Sequence, residues 1–133
     1  STMGGNPVAS VAVSAVFDVF VREPLLENVN NAGTRIEKGL KLIAQGSQYI
    51  GDVRGRGLVM GIEIVKDKKS KQPFSELTKK IINQCASNGL LIGSVGMFGN
   101  VIRVAPPLVI TQEQVDESLD IFDYVMKTIG SVM

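Results

Sequence analysis

Apolar residues cover nearly every side of the segment from Pro7 to about Arg22. Val8, Ala9, Val11, Ala12, Val13, Ala15, Val16, Phe17, Val19 and Phe20 are broken only by Ser10, Ser14 and Asp18. Asn6 is a good N-cap and Pro7 suits the first helical position, so a helix is predicted here, broken by Pro24. A helix apolar on all sides is buried on all sides. A chain of 133 residues is one domain's worth of material and would struggle to cover it, so a further domain or a second subunit is expected to do so. The next segment, Leu25 to Gln45, is an ordinary amphipathic helix. Val29, Ile36, Leu40 and Ile43 share one face with Gly33 in the same stripe, and Gly46 ends it.

The period then changes. Tyr49 to Arg54 reads as a strand leading into a turn at Gly55-Arg56-Gly57. Leu58 to Val65 follows with Leu58, Met60, Ile62 and Ile64 on one face. Lys66 to Pro73 holds four lysines and reads as an exposed loop. Ser75 to Asn88 predicts a helix with Leu77, Ile81, Ile82 and Cys85 inward, closed by Asn88-Gly89. Leu90–Ile92 is expected as a short strand, Ser94–Asn100 as a glycine-rich loop, and Val101–Val104 as a strand stopped by Pro106-Pro107. Thr111 and Gln114 form a capping box for a last helix with the stripe Val115, Leu119, Phe122, Met126 and Ile129. This order of elements predicts an α+β fold with a small, mainly antiparallel sheet packed with helices.

Composition narrows the function. Fourteen basic residues against thirteen acidic ones leave a net charge of +1, which gives no support to a nucleic-acid or anionic-membrane partner. The run Val8–Val21 is too short to span a bilayer, and no basic segment precedes it as in a secretory leader. The single cysteine, Cys85, cannot form an internal disulfide and fits a reducing, cytoplasmic setting. Histidine is absent, which removes the commonest acid–base group and metal ligand.

Two residues stand out chemically. Thr2 presents a hydroxyl just ahead of a helix start, beside the Gly4-Gly5 pair, a geometry suited to a phosphate; with Asn6 it reads equally as part of a helix cap. Arg103 sits between apolar strand residues and a rigid Pro-Pro. Taken alone it reads as a structural ion pair or a strand-edge charge, the commoner fate of an arginine. Arg54 and Arg56 flank a glycine turn and read as fold determinants. The loop 94–100 reads equally as the edge of a binding site and as a plain hairpin connection. Cys85 reads as an inert core residue, and the Lys66–Lys71 cluster, Asp116 and Glu117 as surface charges.

Three collinear stretches carry a resemblance: Ser1-Thr2-Met3-Gly4-Gly5-Asn6-Pro7, Val53-Arg54-Gly55-Arg56-Gly57-Leu58-Val59-Met60-Gly61-Ile62-Glu63, and Asn100-Val101-Ile102-Arg103-Val104-Ala105-Pro106-Pro107-Leu108. In this order and at these separations the chain resembles the C-terminal portion of class III (subgroup II) pyridoxal-phosphate-dependent aminotransferases. It is most similar to 4-aminobutyrate aminotransferases, with acetylornithine and ornithine aminotransferases close behind. The resemblance implies that residues 1–45 are the end of the cofactor domain with its linking helices, and 46–133 a small C-terminal α+β domain. It implies that Thr2 reaches the phosphate of a neighbouring subunit's pyridoxal 5'-phosphate, so the intact enzyme is a homodimer. Arg103 would hold the substrate's α-carboxylate. The reaction implied is transfer of an amino group from an amino acid, such as 4-aminobutyrate or another ω-amino acid, to a 2-oxo acid.

The first seven residues read as the middle of a protein. The family's cofactor-bearing lysine precedes them, and no lysine here sits in a matching motif, so these residues alone are expected to be inactive. The rival reading is a stand-alone α+β binding or oligomerisation module without catalysis. Related members of the family also perform decarboxylation, racemisation and aminomutase chemistry.

Overall fold

The computed structural model describes residues 2–132. Four helices and four strands follow one another as α1 (Pro7–Arg22), α2 (Leu25–Gly46), β1 (Ile50–Arg56), β2 (Val59–Ile64), α3 (Ser75–Ser87), β3 (Gly93–Val95), β4 (Val101–Val104) and α4 (Gln112–Val132). The strands form one antiparallel sheet in the order β1-β2-β4-β3. The α+β class and the antiparallel sheet agree with the pattern of the sequence.

One sheet face is the core. Met60, Ile62 and Ile64 of β2 and Ile102 of β4 are buried there beneath α2 and α3. Alpha4 packs across α2 and α3 and adds Val115, Phe122, Val125 and Met126 to the same cluster. The capping box forms as expected: Gln114 N–H donates to Thr111 Oγ1 at 3.2 Å, and Thr111 N–H donates to Gln114 Oε1 at 3.0 Å. Asp116 is more than a surface charge. Arg35 of α2 grips it through two hydrogen bonds of 2.5 and 2.7 Å, tying α2 to α4 and holding its carboxyl below the usual range.

Two expectations change, and a third, that this chain does not itself cover α1, holds. The strand expected at Leu90–Ile92 lies at Gly93–Val95, because Leu90 is still engaged by the preceding helix end. Its N–H donates to Cys85 O at 2.9 Å, and Gly89 supplies the left-handed residue at φ +91°. Beta1 runs through Arg56, so the hairpin turn is Gly57-Leu58 rather than 55–57. Alpha1 forms where the pattern places it and is capped by Asn6 Oδ1, yet the chain buries none of its residues. Burial all round is therefore not achieved within this chain.

Cys85 is fully buried on α3, and burial pushes its thiol up to about 11. It is expected to resist a thiol-exchange reagent at pH 8 in the native chain and to react at once in denaturant. Native labelling as fast as denatured labelling would contradict this packing.

Candidate functional site

Beta4 is the strand that carries Arg103. Side chains alternate along it, so burial of Ile102 in the core places Arg103 on the opposite, open face, where it is exposed. Both ends of the strand are anchored. Buried Asn100 donates from Nδ2 to Ile64 O at 3.0 Å and accepts at its own carbonyl from Ile64 N–H at 2.8 Å. Beyond Pro106-Pro107, Asn28 of α2 donates from Nδ2 to Leu108 O at 2.7 Å and to Ile110 O at 3.0 Å. Sequence reasoning missed both asparagines. An asparagine at the start of an apolar strand is a faint signal for Asn100. Nothing local marks Asn28, whose acceptors are more than 70 residues away.

The pairing register explains why Arg103 is open. Its partner on β2 is Gly61 and its partner on β3 is Gly93. A Cβ built on Gly93 would meet nothing within 4 Å, and one on Gly61 would approach Val101 Cγ1 at 3.3 Å. No side chain stands beside the arginine on either neighbouring strand. Among the described residues its guanidinium has no hydrogen bond and no ion pair.

Arg54, one strand further along the same row and opposite Gly61, is the reverse case. Its Nη1 donates to Asp52 Oδ2 at 2.8 Å and to Glu63 Oε2 at 2.9 Å, and these bonds hold the guanidinium above its ordinary range. The ion-pair reading thus fits Arg54, while Arg103 has no ion pair among the described residues. An apolar groove of about 780 Å³ runs along the β3–β4 edge on the helix side, walled by Ile36, Leu40, Ile92 and Phe122. Arg103 and Gly93 are among the residues that line it.

Thr2 lies in the exposed turn 2–5 ahead of α1, and its hydroxyl has no partner among the described residues. Gly5 adopts φ +79° with open space around it. The first amides of α1 are not free for an anion, because Asn6 Oδ1 accepts from Val8 N–H at 2.9 Å and Ala9 N–H at 3.3 Å. Thr2 is not a wall of the groove at Arg103, and the chain does not assemble the two residues into one pocket. The expected loop 94–100 begins inside β3. Its remainder exposes Met97 and Phe98 next to β4.

The model for the aminotransferase class-III family matches residues 1–126. The chain belongs to this family. As a class-III aminotransferase chain it is 41% identical over 126 residues to alanine–glyoxylate aminotransferase 2 homolog 2, mitochondrial, of Arabidopsis thaliana. That match covers 95% of this chain and 26% of the relative. It is 43% identical to an alanine/serine racemase of Pyrococcus horikoshii, again over 95% of this chain and 26% of the relative. A crystal structure of a Bacillus anthracis aminotransferase superposes with a TM-score of 0.87 at 32% identity, covering 96% of this chain and 30% of that one. The chain thus spans about a quarter of the length of the curated relatives it matches. 4-Aminobutyrate aminotransferases are among the relatives too, so the family is shown without the 4-aminobutyrate subgroup being singled out. No helix among the described residues is long and apolar enough to cross a membrane.

Proposed function

We propose that this chain supplies the carboxylate-binding strand of a pyridoxal-phosphate-dependent aminotransferase that moves an amino group from an amino acid to a 2-oxo acid. The observation that carries the reading is Arg103. It is a guanidinium without a partner among the described residues, standing between two glycines on a strand anchored at both ends. A planar guanidinium holds a carboxylate through two parallel hydrogen bonds, which fixes the orientation of the substrate's backbone as well as its charge. A 2-oxo acid carries that carboxylate next to the reacting carbon, so Arg103 is assigned to the acceptor and to any α-amino acid; an ω-amino acid carries its carboxylate at the far end of the chain.

The residues ahead of α1 fit a phosphate. The unpaired Thr2 hydroxyl and the exposed amides of the Gly4-Gly5 turn would hold the phosphate of pyridoxal 5'-phosphate, without the amides that Asn6 occupies. The cofactor, when bound, supplies an electrophilic carbonyl and a sink for electrons. This chain's part is to bind and orient. Its lysines lie on α2, α3, α4 and the 66–71 loop, none on the open sheet face, and it has no histidine. We therefore assign proton transfer to another part of the full-length protein and read these residues alone as inactive. The uncovered apolar α1 supports a homodimer, with Thr2 serving the partner's cofactor, and the reduced Cys85 a cytoplasmic setting. An ω-amino acid such as 4-aminobutyrate is the proposed donor, on the likeness of the three motifs to 4-aminobutyrate aminotransferases.

Borohydride reduction of the full-length protein followed by peptide mapping tests this. The expected result is loss of visible absorption and a pyridoxyl label on a lysine outside residues 1–133. Absence of any label would overturn the aminotransferase reading in favour of a non-catalytic carboxylate-binding module.

A further inference from the structure

A glycine has two common reasons to stand where it does: a positive φ, or a neighbour too close for a Cβ. Gly57, at φ +56°, shows the first, and Gly33, whose Cβ would lie 2.5 Å from Gly57 O, shows the second. Gly93 shows neither. Its φ is not positive, and a Cβ there would meet nothing within 4 Å. It opens β3, the outer strand of the sheet. Glycine weakens a strand, and there it often marks the close approach of a ligand or of another backbone. The direct partner of Gly93 is Arg103. Two residues on, the same face carries Val95 opposite Val101, the β-branched pairing usual in a sheet. The side chain is thus missing only beside the unpartnered guanidinium. Gly93 is the floor of a notch, with Arg103 along one side and the two valines closing one end. Gly93, Val95 and Arg103 also line the groove of about 780 Å³, so the notch opens into free volume.

We propose that Gly93 is a specificity-determining residue: its missing side chain leaves, beside Arg103, the volume that the carboxylate end of the substrate fills. This rests on the reading of Arg103 as the carboxylate ligand. Cβ atoms of directly opposed residues stand about 4.5–5.5 Å apart. A side chain at 93 would therefore lie along the stem of Arg103, clear of the rest of the fold, and occupy the approach to the guanidinium. A single methyl takes the room of a group that branches next to the carboxylate. A valine takes the room of an unbranched chain as well. The substrate class admitted by glycine is a carboxylate with a substituent on the adjoining carbon, as α-amino acids and 2-oxo acids have, whereas 4-aminobutyrate presents a bare methylene there.

The test uses the full-length protein and two carboxylates without an amino group, unbranched valerate and branched 2-ethylbutyrate, with binding followed by ligand-detected NMR. Gly93→Ala is expected to weaken 2-ethylbutyrate about threefold to tenfold and valerate less than about twofold. Gly93→Val should weaken both by about tenfold or more, the branched acid further, as one or two added carbons do in a fitted site. The urea midpoint of both variants should equal or exceed that of the parent, since the new atoms meet nothing and strand propensity rises. Unchanged valerate binding in Gly93→Val, or equal losses for the two acids in both variants, would overturn the proposal. So would a clear fall in the urea midpoint, which would mean that another backbone rests on Gly93 in the full-length protein. Arg103→Gln separates the two layers. Unchanged valerate binding there would defeat the carboxylate reading of Arg103, and the role of Gly93 with it; weakened binding there beside unchanged binding in Gly93→Val would defeat the role of Gly93 alone.

Discussion

Replacing Arg103 with glutamine is expected to lower kcat/KM of the full-length protein for an amino-acid donor by about 30- to 1,000-fold, the effect of truncating one partner of a hydrogen-bonded charge pair. The loss should be confined to donors that carry a carboxylate. A primary amine of the same length without one should react equally with both proteins, since Arg103 touches nothing else. Arg103→Lys should recover only part of the loss, because an ammonium offers charge without the planar pair of donors. The fold should be untouched: Arg103 is exposed and makes no contact that the sheet depends on. An equal fall for both donors would show that the arginine supports the structure instead.

The second large effect concerns how the sheet is held against α2. A Cβ at Gly33 would lie 2.5 Å from Gly57 O and 2.8 Å from Gly57 Cα, so backbone meets backbone where α2 crosses the β1–β2 turn. Gly57 itself sits at φ +56° in the hairpin turn, and the atoms met are backbone rather than the end of a flexible side chain. Gly33→Val is therefore expected to destabilise the protein by about 2–4 kcal/mol in urea unfolding, through overpacking and a β-branched helix position. Gly46→Ala on the same helix makes the contrast, since nothing lies within 4 Å of its Cβ. There, relief of glycine's backbone entropy should add about 0.5–1 kcal/mol. Similar effects at the two positions would contradict the close approach of α2 to the hairpin.

Much of this fold was legible because its signals are local. The Asn6-Pro7 start of α1, the stripe on α2, the alternation through Met60, Ile62 and Ile64, and the Thr111–Gln114 box are each set by near neighbours in sequence, and the structure keeps them. The misplaced third strand shows the limit. Three apolar residues at 90–92 look more like a strand than Gly-Ser-Val, yet the helix-ending bond to Leu90 and the pairing with β4 decide the matter. The candidate site was half legible. Arg103 and Thr2 could be named from motifs, but the reason Arg103 is free could not. That reason is the row Arg54, Gly61, Arg103, Gly93, whose members are brought together by strand register. The same holds for Asn28 and Asn100, whose partners lie far along the chain.

The most direct measurement is a crystal structure of the full-length protein with valerate bound. The account predicts its carboxylate on the open face of the sheet, with two Arg103 nitrogens at about 2.7–2.9 Å from its oxygens and Glu63 still on Arg54. A carboxylate bound elsewhere, with Arg103 paired to an acid of the protein, would contradict it.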